Sequence, residues 1–189
     1  MVFTFNIAFT TPVNPPGTSP TLTRQDVWHG MIHTARAPHD FAAHAAGSEV
    51  VWESAEGSRL GRTVTMADGG VHTVKGQTIH QQVKIVDEVM VEAETLDSGS
   101  KTIMLVSHNP AAVVSASCVD LSFTLMYQLR LENVQAGSDQ AKTVEKDYPE
   151  LAREVATSTI DHIREAKKSG KLSVWASEEC RKKTIDATG

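Results

Sequence analysis

Between residues 48 and 133 apolar side chains recur at every second position in six segments, 48–55, 59–67, 77–86, 88–96, 101–108 and 119–133. Alternation of this kind lays apolar groups on one face of an extended chain and polar groups on the other, which a helical period cannot do. The turn residues EGS at 56–58, ADGG at 67–70 and DSGS at 97–100 leave gaps of hairpin length. Such gaps are too short for the crossover a parallel pair requires, so the segments predict an antiparallel meander. In LSFTLMYQLRL, Leu121, Phe123, Leu125, Tyr127, Leu129 and Leu131 share one face, and Ser122, Thr124, Gln128 and Arg130 share the other. One side of the sheet is therefore buried.

A one-sided sheet needs a cover, and DYPELAREVATSTIDHIREAKKSG at 147–170 reads as the helix that supplies it. Asp147 is the expected N-cap, with Pro149 in the first turn and Glu150 completing a capping box; Lys167, Lys168 and Gly170 suit the C-terminal end. At about 100° per residue, Leu151, Val155, Ser158, Thr159, His162 and Ala166 fall on the inner side. Ser158, Thr159 and His162 stand where a core helix carries Leu or Ile, so this face is expected to meet a cavity. Ahead of the meander, residues 2–11 read as a first strand, ended by Pro12 and the turn VNPPG at 13–17. A helix capped by Thr23, with Asp26 three residues on, carries the stripe Val27, Trp28, Met31, Ile32 and Ala35, and a second short helix covers 38–45. After Gly170 comes a tail, 171–189, whose large aromatic Trp175 either docks on the body or stays loose.

At 189 residues the chain suits one well-cored domain, expected over 1–170. Its net charge of −5 comes without a dense Lys/Arg cluster, which argues against nucleic acid as a partner. No stretch approaches the roughly 18 apolar residues of a membrane span, and the N-terminus does not read as a secretory leader. Cys118 and Cys180 have neither metal nor redox spacing. Together these features point to a soluble cytoplasmic protein whose partners are a hydrophobic small molecule and, at most, a second copy of the chain.

The order strand, two short helices, six-stranded meander and long C-terminal helix resembles the START-like helix-grip superfamily, also called SRPBCC. VNPPGTSPTLTRQDVWHGMIHTARAPHDF at 13–41 resembles the opening signature of its AtaL-like branch, and TIHQQVKIVDEVMVEAET at 78–95 resembles that branch's central hairpin. The similarity spans roughly residues 3 to 170. It implies an α+β fold in which a curved antiparallel sheet of about seven strands wraps around the C-terminal helix over an apolar cavity. It also implies a role in binding, cyclising or isomerising a secondary-metabolite intermediate. The chain departs from the branch in a VHTVK segment after Gly70, in a longer NPAAVVSASC connection at 109–118 and in the tail. The first two lengthen loops at the cavity rim. At position 81 the branch usually carries an acidic residue, where this chain has Gln81.

His162, in mid-helix, is the expected proton carrier, because an imidazole in a dry cavity can take or give a proton near neutral pH. Tyr127, the hydroxyl among the inward residues of its strand, is expected to orient or polarise a carbonyl. Gln81 shares the inward parity of Ile79, Val83 and Ile85, and an inward amide needs a partner. The other ligand contacts expected are Trp52, Val83, Phe123 and Leu125 from the strands, Leu151, Val155, Ser158 and Thr159 from the helix, and His108 at a strand end. His29 and His33 have the one-turn spacing of a zinc pair, but no Glu follows and no third ligand is evident, so a solvated face is the better reading. No nucleophile elbow, P-loop or dinucleotide fingerprint is present, so neither metal nor cofactor is expected. The chemistry expected is that of a cofactor-free cyclase or isomerase acting on a polyketide- or terpenoid-like intermediate. The alternatives are a non-catalytic carrier and an interaction protein using the tail.

Overall fold

The computed structural model describes residues 2–68, 73–108, 120–132 and 134–177. Seven strands, β1 (Val2–Pro12), β2 (Ala45–Glu53), β3 (Arg59–Met66), β4 (Thr78–Val86), β5 (Met90–Thr95), β6 (Lys101–His108) and β7 (Leu121–Glu132), form one sheet in the order β1-β7-β6-β5-β4-β3-β2. All neighbours are antiparallel. The six period-two segments thus become β2 to β7 in sequence, and β1 closes on β7 from Val2 opposite Glu132 to Pro12 opposite Ser122. On β7 every residue of the inward parity is buried, from Leu121 to Leu131. At about 1.5–3 kcal/mol for each large apolar side chain removed from water, this one strand contributes a substantial share of the folding free energy.

Helix α1 (Arg24–Arg36) opens on the expected capping box, Thr23 with Asp26, and buries all five residues of its predicted stripe. The second short helix is a single 3-10 turn, Pro38–Asp40, and does not run to Ala45 because β2 begins there. The long helix α2 (Asp139–Lys168) starts eight residues before the expected Asp147. Its N-cap is Ser138, whose Oγ accepts from the Ala141 amide at 3.2 Å, and Pro149 lies inside the helix. The extra turns are held by packing. Ala141, Val144 and Tyr148 continue the buried stripe, and Tyr148 meets Phe5 and Tyr127 edge-on at 6.4 and 5.3 Å between ring centroids. Burial of this stripe offsets the hydrogen bond that a proline removes from a helix interior.

The orientation of α2 also differs from expectation. Ala152, Ala156, Thr159, Ile160, Ile163 and Ala166 are buried, whereas Leu151, Val155 and Ser158 are half-buried and His162 is exposed. Burying Ile160 and Ile163 outweighs the alternative face, so the helix rolls and carries His162 outward. α2 lies over β1 and β7 and meets α1 where a Cβ on Gly30 would stand 2.3 Å from Ile163 Cγ1. Lys167 Nζ ties the two helices together through Asp26 Oδ2 at 2.7 Å. Residues 171–177 are again helical, with Leu172 buried in the main core and Trp175 stacked on His33 at 3.9 Å and 7°. The tail therefore begins as a docked helix, and packing does not stop at residue 170. Among the described residues no helix is long and apolar enough to cross a membrane.

Candidate functional site

Between the concave face of the sheet and α2 the core is incomplete, leaving two adjoining compartments of about 100 Å³ each. His44, Met66, Ile79, Gln81, Thr102 and Tyr127 border both. The first is walled by Phe41, Val64, Val91, Met104, Leu125 and Val155, with Thr34, Arg62 and Thr159 adding polar atoms. The second reaches toward Thr73, Lys101, Tyr148 and Leu151. Its Thr73 Oγ1 is buried without a hydrogen-bond partner among the described residues.

Of the residues expected here, Tyr127, Gln81, Leu125, Leu151, Val155 and Thr159 line the compartments. Six do not. His162 is exposed, meets Phe41 edge-on at 5.8 Å and borders neither compartment. Trp52 is 45 % exposed and lies over Gly61, its cross-strand partner, because the register shift between Val50 and Trp52 turns it out of the sheet's inner face. Val83 and Phe123 are fully buried in solid core, Ser158 borders neither compartment, and His108 is exposed at the end of β6. The hydroxyls of Ser158 and Thr159 are satisfied by their own helix. Thr159 Oγ1 donates to Val155 O at 2.7 Å and Ser158 Oγ to the same oxygen at 3.2 Å.

Burial keeps the Tyr127 phenol well above its usual titration range, so it is a neutral hydroxyl in the cavity wall. Gln81 is 8 % exposed; its Oε1 accepts from Arg62 Nε at 2.9 Å and its Nε2 donates to Thr95 Oγ1 at 3.2 Å. Sequence reasoning did not single out Arg62, which the structure makes central. Leu60, Arg62, Val64 and Met66 alternate on β3, so Arg62 points inward and is 7 % exposed. Its Nη1 donates to Thr34 O at 2.8 Å and Ala35 O at 2.7 Å, capping the C-terminal carbonyls of α1. Burial lowers its pKa to about 10, which leaves it cationic near neutrality.

His44, just ahead of β2, was also passed over. It borders both compartments, and burial lowers its pKa, so the neutral imidazole is the favoured form. The cavity thus presents a fixed cation, a neutral imidazole, a neutral phenol and an amide within apolar walls, the set needed to polarise an oxygen and move a proton. His33 belongs elsewhere. Its Nε2 pairs with Asp40 Oδ2 at 2.7 Å beneath Trp175, and among the described residues no three His, Cys, Asp or Glu side chains converge on a metal position.

An open groove of about 610 Å³ lies outside this cavity, bordered by His33, Asp40, His162, Glu165, Lys171 and Trp175. Phe41 belongs to both, one wall of the cavity and part of the groove.

Comparison with known proteins agrees with this architecture. The chain is 32 % identical over 170 residues to the acetylaranotin biosynthesis cluster protein L of Aspergillus terreus (strain NIH 2624 / FGSC A1156), covering 90 % of this chain and 94 % of that one. Among solved structures it resembles the di-domain ARO/CYC BexL from the BE-7585A biosynthetic pathway, with a TM-score of 0.57 and 11 % identity over 85 % of this chain and 50 % of that one. It also resembles the KanY protein, with a TM-score of 0.53 and 12 % identity over 86 % of this chain and 97 % of that one. These two likenesses bear on the fold, which is the helix-grip arrangement the sequence suggested. The family described as acetylaranotin biosynthesis cluster protein L matches residues 7–170, and this chain belongs to that family.

Proposed function

We propose that the protein is a cofactor-free cyclase or isomerase acting on a hydrophobic secondary-metabolite intermediate, polyketide- or terpenoid-like, held between the sheet and α2. The observation that carries this reading is the apolar cavity bordered by Arg62, His44, Tyr127 and Gln81. A relative named for a biosynthesis cluster supports the metabolic setting.

In this reading a carbonyl oxygen of the substrate faces Tyr127, within the field of Arg62. The His44 imidazole removes a proton from the adjacent carbon, and the electron pair moves onto the oxygen as the carbonyl becomes an enolate. The guanidinium and the phenol stabilise that charge where water is largely excluded. The proton then returns at a different carbon, which isomerises the molecule, or the enolate carbon attacks a second carbonyl, whose oxygen takes that proton as the ring closes; elimination of the new hydroxyl with a neighbouring hydrogen then expels one water. Cavity shape does the rest by holding the reacting carbons close together.

Native mass spectrometry of the purified protein should reveal a co-purifying small molecule. Fresh compound incubated with the protein should emerge with unchanged mass and shifted retention, or with one water lost. Turnover should fall by about 10²- to 10⁴-fold in His44→Asn, the usual contribution of a general base. Recovery of the compound unaltered after prolonged incubation would make the protein a carrier instead.

A further inference from the structure

Arg62 differs from three other partly or fully buried cations of the fold, which have carboxylate partners. Arg36 pairs with Glu53, Arg164 with Asp161, and Lys101 with Glu92 and Glu94. Arg62 makes no salt bridge among the described residues, and its acceptors, Gln81 Oε1, Thr34 O and Ala35 O, are all neutral. They occupy Nε and Nη1, while Nη2 makes no hydrogen bond among the described residues. No Asp or Glu is among the described residues bordering either compartment.

A guanidinium taken out of water without a counter-charge is expensive, and the partial negative charge of the α1 C-terminus offsets only part of that. The remainder would be recovered by an oxyanion in the cavity, through a short charge-assisted hydrogen bond in a low-dielectric setting. Resting on the cavity reading above, we infer that the ligand enters already carrying one oxyanion, a carboxylate, which seats on Arg62 while the carbonyl that becomes the enolate faces Tyr127. Its hydrocarbon part lies against Val64, Met104 and Leu125. Size narrows the class further. A cavity of roughly 150 Å³ admits benzene, so two adjoining compartments of about 100 Å³ each suit one or two rings better than a long folded chain.

A purely structural Arg62, serving as a clamp on α1, would show no preference for anions, and calorimetry on the full chain separates the two. 2-Naphthoate and 2-acetylnaphthalene share a ring system and differ in charge. The native protein should bind the acid about tenfold to a hundredfold more tightly, the range for a hydrogen bond to a charged group. Arg62→Gln risks unfolding the chain, so the informative variant is Gln81→Glu, which keeps the clamp and supplies the missing carboxylate from within. It should weaken 2-naphthoate at least about tenfold more than it weakens 2-acetylnaphthalene. Equal affinity of the native protein for both probes, or equal weakening of both by Gln81→Glu, would overturn the inference while leaving the cavity reading intact. Binding of neither probe would remove the cavity reading and the inference with it.

Discussion

Gln81→Leu is the substitution whose cost follows most directly from the structure. Leucine matches glutamine in size but takes away the acceptor for Arg62 Nε and the donor to Thr95 Oγ1. A hydrogen bond from a charged donor contributes about 1.5–3 kcal/mol and a neutral one about 0.5–1.5. Extra apolar burial returns about 1 kcal/mol, since the site is 8 % exposed. The net expectation is a loss of about 1–3.5 kcal/mol. For a chain of 189 residues each kcal/mol moves Tm by roughly 2–4 °C, so Tm should fall by about 2–14 °C. Urea unfolding followed by circular dichroism checks this, with the m-value unchanged. Gln81→Glu should instead equal or exceed the native protein near pH 7. A carboxylate beside the guanidinium has a depressed folded pKa, so its contribution is present above the ordinary carboxylate range and is lost as pH falls through the folded value. A Gln81→Leu variant within about 0.5 kcal/mol of native would show that Gln81 does not hold Arg62.

Gly30→Ala should cost about 1–3 kcal/mol, because the new methyl would meet Ile163, which is fully buried and has little room to retreat. A double-mutant cycle with Ile163→Ala should show coupling, and strict additivity would deny that this pair sets the helix contact. His44 has a folded pKa below its ordinary value of 6.5, so the unfolded chain binds the proton more readily. Stability should therefore fall as pH drops through about 6.5 toward the folded value, and His44→Gln should flatten that slope in pH-dependent melts. An identical slope in the variant would mean that another group carries it. Trp175→Ala should cost about 1–2 kcal/mol through the lost stack on His33, and unchanged urea unfolding would show that helix 171–177 adds nothing to the body.

The sheet was legible because its signal is purely local. Every inward position of β7 is apolar or aromatic, and one parity fits. The start of α2 was not, since Pro149 is the strongest local mark of a first turn, whereas Ser138 gains its role only when Ala141, Val144 and Tyr148 find the core. The same holds for the helix face. Counting polar residues favoured the side with His162, but the two isoleucines at 160 and 163 decide the roll, and their weight shows only against a sheet. Arg62 is the instructive omission. Alternation along β3 puts it inward, yet what makes an inward arginine tolerable comes from Thr34, Ala35 and Gln81, residues 19 to 28 positions away in sequence. Tyr127 and Gln81 were found because each breaks an apolar face with a single polar group.

Phe41 lines both the cavity and the groove. Because both spaces share this ring, a rotamer change of Phe41 would alter the wall of each without the departure of a strand or helix. His33, His162 and Trp175 hold the ring from outside at centroid distances of 5.9, 5.8 and 6.0 Å. His162, which the helix roll carries away from the cavity, thus packs on that ring from the groove, and the residence time of a bound guest is expected to depend on the tail while its affinity depends on Arg62.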